Sequence, residues 1–241
     1  MEIRVIVPII GESWVESARQ TYAAHARPGT RISAVAVQKG PASIESRRDE
    51  ALAVPEVMRL AQEAEREGVQ AVIIDCMGDP GLEPAREVVS IPVIGPALAC
   101  MHLAATLAHR FSIITLPASS IPVVEEQVWR YGLQHRLASV RAIEVAVLDI
   151  ERHRNEVLHQ LTTATAQAVL EDGAGAVIPG CTGMAGMAPH VQAALAERGC
   201  EVPVLDPPAV AVKLAESLVE MRLSHSRRTY PEPPVKEIAG Y

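Results

Sequence analysis

GVQAVIIDCMGDPGL (residues 68–82) lies over GAGAVIPGCTGMAGM (residues 173–187) without a gap. The opening glycines, the Ala-Val-Ile runs, Cys76 with Cys181, Gly78 with Gly183 and Gly81 with Gly186 all coincide at one offset of 105 residues. Each copy is a short continuous apolar run, the pattern of a buried strand, that stops at a cysteine and turns through glycines into a helix. In a parallel α/β sheet that cysteine stands at the carboxyl end of its strand, where ligands bind and where the next helix offers unpaired N–H groups. Two such cysteines in two related halves can face one cavity.

A second match extends the repeat. IPVIGPALACMHLAATLA (residues 91–108) aligns with VPVLDPPAVAVKLAESLV (residues 202–219) at an offset of 111, with Pro92 on Pro203, Pro96 on Pro207 and Leu103 on Leu214. Between the matches, strands alternate with helical segments. Strands are predicted at 3–10, 32–38, 70–75, 91–97, 111–117, 143–148 and 176–179, and a long helix runs from residue 49 or 50 to 66. Asp79 is placed to cap a helix whose first residue is Pro80. This alternation, present twice, indicates an α/β protein of two similar open parallel-sheet domains related by internal duplication, with a site in the cleft between them. The segment from residue 224 is Pro-rich and polar and reads as an arm or a disordered tail.

Composition agrees with sheets covered by helices. Hydrophobic residues make up 49% of the 241 and aromatic residues only 3%, so the core is aliphatic. A net charge of −7, with no Lys/Arg run longer than a pair, argues against a nucleic-acid partner and leaves small molecules. No apolar run approaches membrane-spanning length and no secretory leader is visible, so a cytoplasmic location is expected. The four cysteines (76, 100, 181, 200) form no C-x-x-C pair and no zinc-type cluster, so free thiols and no metal are expected.

A cysteine ending an apolar strand is, taken alone, most simply a small buried hydrophobe, and Cys100 and Cys200 are read so. For Cys76 and Cys181 the duplication, the glycines and the helix starts point instead to chemistry. A thiolate near a helix N-terminus is stabilised, which predicts a lowered pKa. Their neighbours Met77, Gly78, Thr182 and Gly183 are candidate substrate contacts, and Asp79 is a capping residue with a second role in the site. Ser43 and Glu45 sit in a loop after a strand end, and Thr115 and Leu116 end the strand that opens the second half. Inverting a carbon acid needs a base on one face and an acid on the other, and two opposed thiols can supply both. No dinucleotide fingerprint, Walker loop or cofactor lysine is present, so no cofactor is expected.

These residues resemble the aspartate/glutamate/hydantoin racemase superfamily, and within it the hydantoin and allantoin racemases. The similarity is carried by GPASIES (residues 40–46), CMGDPGLEPARE (76–87), the run 91–115, PGCTGMA (179–185) and VPVLDPPAVAVKLAESL (202–218). It implies two flavodoxin-like lobes, no pyridoxal phosphate, and Cys76 and Cys181 as the acid/base pair. It also implies that the last helix packs back on the first lobe. The lobes would then be residues 1–97 plus 207–223, and 98–206, with 224–241 outside both. The chain is expected to form a homo-oligomer.

One departure concerns the pocket. Hydantoin racemases usually carry Asn-Pro-Asn-Thr after the first strand, where this chain has Val7, Pro8, Ile9 and Ile10; a second threonine often follows the position of Thr115, where it has Leu116. Pro8, Ile9 and Leu116 are therefore expected to line a more apolar pocket, suited to a hydantoin-like or related cyclic amide. Maleate-type cis-trans isomerisation, arylmalonate-type decarboxylation and a non-catalytic two-lobed binding protein stay open as alternatives. The presence of Cys76 argues against the decarboxylases, which keep only the later cysteine.

Overall fold

Val, Ile and Ala strands covered on both faces form the centres of two parallel sheets. In the computed structural model, which describes residues 1–237, β1 (Glu2–Val7), β2 (Arg31–Ala36), β3 (Ala71–Ile74) and β4 (Val93–Ile94) lie in the order β2-β1-β3-β4. Helices α1 (Ser13–Ala23), α2 (Arg47–Arg66) and α3 (Leu82–Val88) connect them. After α4 (Pro96–Leu107) the pattern restarts with β5 (Phe111–Thr115), α5 (Ile121–Arg130), β6 (Leu137–Ala142), α6 (Arg154–Leu170), β7 (Ala176–Pro179) and α7 (Ala188–Ala196). This second sheet has the order β6-β5-β7, and a parallel bridge from Val204 to Val177 adds a fourth position. Val72 pairs with Val93 in the first sheet as Val177 pairs with Val204 in the second, so the duplication extends to strand register.

The two closing helices change places. From α4, which follows the first sheet, Ala97, Cys100, Met101 and Ala104 pack with Phe111, Ile113, Ala176 and Ile178 of the second. From α8 (Pro207–Met221), which follows the second sheet, Ala211, Val212 and Ala215 pack with Ile3, Val5, Ile73 and Ile94 of the first. Burial contributes roughly 1.5–3 kcal/mol for a Met or Val and about 0.8 kcal/mol per methyl or methylene group for the alanines, so each sheet depends on chain from the other half.

Two local expectations are corrected. The strand expected at 143–148 lies at Leu137–Ala142, and its six residues are all only partly buried. β6 is an edge strand carrying Ser139 and Arg141, so it lacks the continuous apolar run of a central strand. The apolar run that follows instead forms a loop with a 3₁₀ turn at Val147–Asp149. The helix expected to begin at Pro80 begins at Leu82, because Asp79 (φ 49°) and Gly81 (φ 75°) adopt left-handed conformations.

The chain beyond α8 lies along the first lobe. The ring Nε2 of His225 accepts the Val93 N–H at 2.8 Å, and Arg86 donates to the Tyr230 hydroxyl at 3.2 Å. Arg227 reaches the carbonyls of Arg86 and Glu87 at 3.1 and 3.0 Å. The part of the C-terminal segment that is described is therefore a docked arm, and residues 238–241 lie outside the described residues. Among the described residues no helix is long and apolar enough to cross a membrane.

Candidate active site

Both cysteine turns open into one cavity of about 520 Å³ between the lobes. Cys76 follows β3 after Asp75, whose N–H still bonds the Ile6 carbonyl of the neighbouring strand at 2.8 Å. The chain then turns, and the Gly78 N–H points at the Cys76 Sγ at 3.3 Å. In the second lobe Gly180 lets the chain cross β5 closely, since a Cβ there would stand 2.9 Å from the Ile114 carbonyl oxygen. Cys181 follows, and a 3₁₀ turn at Thr182–Met184 comes directly after it.

The lobes are tied across this cavity. Gln127 of α5 donates to the Met77 carbonyl at 3.0 Å, and the Val147 N–H donates to the Glu45 carboxylate at 3.2 Å. Arg47 and Glu126 form an ion pair across the rim. The loop that follows β6, with its 3₁₀ turn at Val147–Asp149, is what brings Val147 to this position.

Of the residues expected at the site, Cys76, Cys181, Pro8, Ile9, Met77, Gly78, Thr115, Leu116, Thr182 and Gly183 line the cavity. Glu45 does too, but Ser43 does not; the same loop presents Ile44, Glu45 and Ser46. Asp79 is also not among the lining residues, and it does not cap the helix next to it. Its buried carboxylate accepts the N–H groups of Ala97 and Leu98 at 3.1 and 2.9 Å, capping α4, and the Tyr131 hydroxyl at 2.7 Å. Gly95 makes room, since a Cβ there would lie 2.5 Å from that carboxylate.

The thiols correct the expectation of a lowered pKa. Burial pushes the Cys181 thiol up to about 11, against an opposing hydrogen bond from Gly183, with Asp75 and Glu45 raising it further. Burial likewise pushes Cys76 well above its ordinary value; Gly78 opposes, and Cys181, Glu50 and Asp79 add to the rise. The helix dipole does not reverse this because α3 starts six residues after Cys76, and only a 3₁₀ turn follows Cys181. A protonated thiol holds its proton until a strong enough base on the substrate draws it off.

Sequence reading missed the polar groups that other elements bring in. Asp75 lines the cavity, and its Oδ1 accepts the Tyr22 hydroxyl at 2.8 Å. Glu50 of α2, Arg130 of α5, and Glu151 and Arg154 near the start of α6 also line it. Asp75 had a readable signal, a carboxylate ending an otherwise apolar strand beside the cysteine. The others lie on helix positions that look like ordinary solvated faces.

A duplicated α/β scaffold with one strand-end thiol from each sheet in a single interlobe cavity defines the class of protein. The Asp/Glu/Hydantoin racemase family model matches residues 3–215. Hydantoin racemase of Pseudomonas sp. (strain NS671) is 39% identical over the whole chain and 95% of its own length. Hydantoin racemase of Rhizobium meliloti is 36% identical over the whole chain and 98% of its own. Allantoin racemase from Klebsiella pneumoniae superposes with a TM-score of 0.92 at 35% identity, covering 100% of this chain and 96% of that one. The chain belongs to the Asp/Glu/hydantoin racemase family, and is a racemase, an isomerase acting on a small molecule. Glutamate racemase from Francisella tularensis subsp. tularensis SCHU S4 shares the fold at a TM-score of 0.62 and 18% identity.

Proposed function

We propose that this racemase inverts the stereocentre of a 5-substituted hydantoin or a related neutral cyclic amide, without a cofactor, with Cys76 and Cys181 acting on opposite faces of the ring. The observation that carries the reading is that the two duplicated thiols, one from each lobe, line the same cavity. One thiolate removes the proton on carbon, the charge spreads onto the flanking carbonyl as an enolate, and the other thiol protonates the opposite face. The Gly78 N–H, aimed at the Cys76 sulfur, and the backbone N–H of Gly183 beside Cys181 stabilise negative charge there.

Charge in the cavity favours a neutral substrate. Glu45, Glu50, Asp75 and Glu151 line it against Arg130 and Arg154, and Pro8, Ile9 and Leu116 present apolar surface. A dicarboxylate would meet more carboxylates than guanidinium groups, which counts against aspartate, glutamate and maleate. The relatives named hydantoin racemase agree with this preference. The proposal extends to a cytoplasmic location and to a homo-oligomer, the latter supported by the exposed Leu103, Leu107 and Leu214 on α4 and α8; sedimentation of the purified chain at the monomer mass would remove the oligomer.

The test is polarimetry of purified protein with benzyl- and isobutyl-hydantoin, allantoin, aspartate, glutamate and maleate. Loss of optical activity with a hydantoin and none with the dicarboxylates is expected. Turnover confined to the dicarboxylates overturns the reading.

A further inference from the structure

The duplication makes the two thiols look equivalent, but their surroundings differ at one matched position. Gly78 and Gly183 coincide in the repeat, and each lies against its own cysteine sulfur, 3.6 Å from the place of a Gly78 Cβ and 3.5 Å from that of a Gly183 Cβ. The second neighbour is different in kind. At Gly78 it is the Glu50 carboxylate, with Oε1 2.5 Å from that place; at Gly183 it is the Ile150 side chain, with Cδ1 at 3.0 Å. The turn that carries Cys76 therefore has a carboxylate packed against its glycine, one whose charge acts on the thiol, where the turn that carries Cys181 has an aliphatic group.

The other charged groups do not cancel this difference. Facing Cys76 are Glu50, Asp79 and the Cys181 sulfur; facing Cys181 are Asp75 and Glu45. Asp79 accepts three hydrogen bonds, Asp75 accepts one from Tyr22, and Glu45 accepts one from Val147, so each of these charges is partly delocalised onto a donor. Among the described residues the Glu50 carboxylate accepts none, and the charges of Arg130 and Arg47 oppose part of its own without a direct bond to it. Burial raises its own pKa, as expected of a half-buried carboxylate with no donor.

We propose that Glu50 is a positioning residue that sets which thiol of the pair gives up its proton first: Cys76 keeps its proton, and Cys181 becomes the thiolate that begins turnover. In that state Cys181 Sγ takes the carbon-bound proton, forming S–H as C–H breaks, and Cys76 S–H then breaks to form the new C–H on the opposite face. The enzyme is left with its proton on Cys181 and its charge on Cys76, beside Glu50, and returns to rest by exchanging a proton with water. The opposite enantiomer is taken by the minor form. Because enantiomers have equal free energy, kcat/KM is the same for both hands whichever form dominates, so the bias must be read from the thiols themselves.

This rests on the two-thiol reading of the site but not on the identity of the substrate, and its test needs none. The rate of iodoacetamide alkylation is followed at Cys76 and Cys181 separately, by peptide mass spectrometry, across pH 6–11, in the wild-type protein and in Glu50→Gln. In the wild type Cys181 should react along a curve at lower pH than Cys76. In Glu50→Gln the Cys76 curve should move to lower pH, by an amount that raises its rate about tenfold at a fixed pH below the midpoint, while the Cys181 curve stays in place. Glu50→Asp, which keeps the charge, should restore most of the wild-type separation. A Cys76 curve that lies below that of Cys181 in the wild type, that does not move in Glu50→Gln, or that moves together with that of Cys181, overturns the proposal. A silent polarimetric panel leaves this measurement valid, and a failed alkylation result leaves the substrate reading untouched.

Discussion

At the scale of single residues, the cysteines carry the strongest expectations. Cys76→Ser and Cys181→Ser should each lower turnover about 10³-fold or more with far-UV circular dichroism unchanged, because a hydroxyl is too weak an acid to stand in for a thiol at either face. Cys100→Ser and Cys200→Ser should keep activity, since neither lines the cavity. The raised thiol pKa values give the pH dependence its sign. The reaction needs a thiolate, and Cys181 sits at about 11, so kcat/KM should rise about tenfold per pH unit from pH 7 towards pH 10. A profile flat above pH 7 would show that the working thiolate is already formed. Asp79 tests the other kind of buried acid. Asp79→Ala removes the cap of α4 and leaves the Tyr131 hydroxyl without its acceptor, and should cost about 3 kcal/mol in urea unfolding. Asp79→Asn keeps an acceptor and should cost less.

At the scale of elements, the two halves solve the same problem with different residues. Each cysteine turn must be held against the helix that follows the next strand. In the first half Asp79 reaches from the turn to the start of α4; in the second Asp206, the residue before α8, reaches back to the Gly186 N–H at 3.2 Å. The carboxylate has moved from one end of the contact to the other, which a residue-by-residue alignment of the repeats does not reveal. The arm is a second such device, since His225 covers the backbone N–H of the short strand β4. It accepts that bond only when its Nε2 is unprotonated. Burial, with Arg86 nearby, lowers its pKa from 6.5 to about 4, so the arm's contribution is complete above pH 6.5 and is lost as pH falls through about 4. Hydrogen exchange at the Val93 amide should therefore accelerate between pH 5 and 4 beyond the intrinsic pH effect, and should be fast at neutral pH in His225→Ala. Equal protection in that variant would mean the arm does not hold the strand.

At the scale of the molecule, the exchanged closing helices couple the lobes. α8 completes the first core after the chain has passed through the whole second lobe, so neither lobe is closed by its own contiguous segment. Truncation after Asp206 should therefore expose Ile3, Val5 and Ile73 and destabilise the first lobe more than the second, measured by hydrogen exchange across β1 and β3 against β5 and β7. The intact chain should unfold in one transition. The interlobe bonds at Gln127 and Glu45 span the cavity, and Gln127→Ala should raise KM more than it lowers kcat, because it removes one of these ties and part of the cavity wall without touching either thiol.

The sequence by itself determined the duplication, the parallel α/β class, the paired thiols and most of the apolar lining. All of these are written in continuous apolar runs, glycines and cysteines at fixed offsets, and a buried strand between glycine turns leaves a local signature. What depended on distance along the chain was not legible there. Asp79 sits beside one helix and caps another; β6 lacks the pattern of a strand because an edge position does not require it; Glu50, Arg130 and Arg154 look like solvated helix faces until the lobes close over them. The thiol pKa values belong to the same group. A nearby helix start lowers a pKa and burial raises it, and only the tertiary structure decided that desolvation wins at both cysteines.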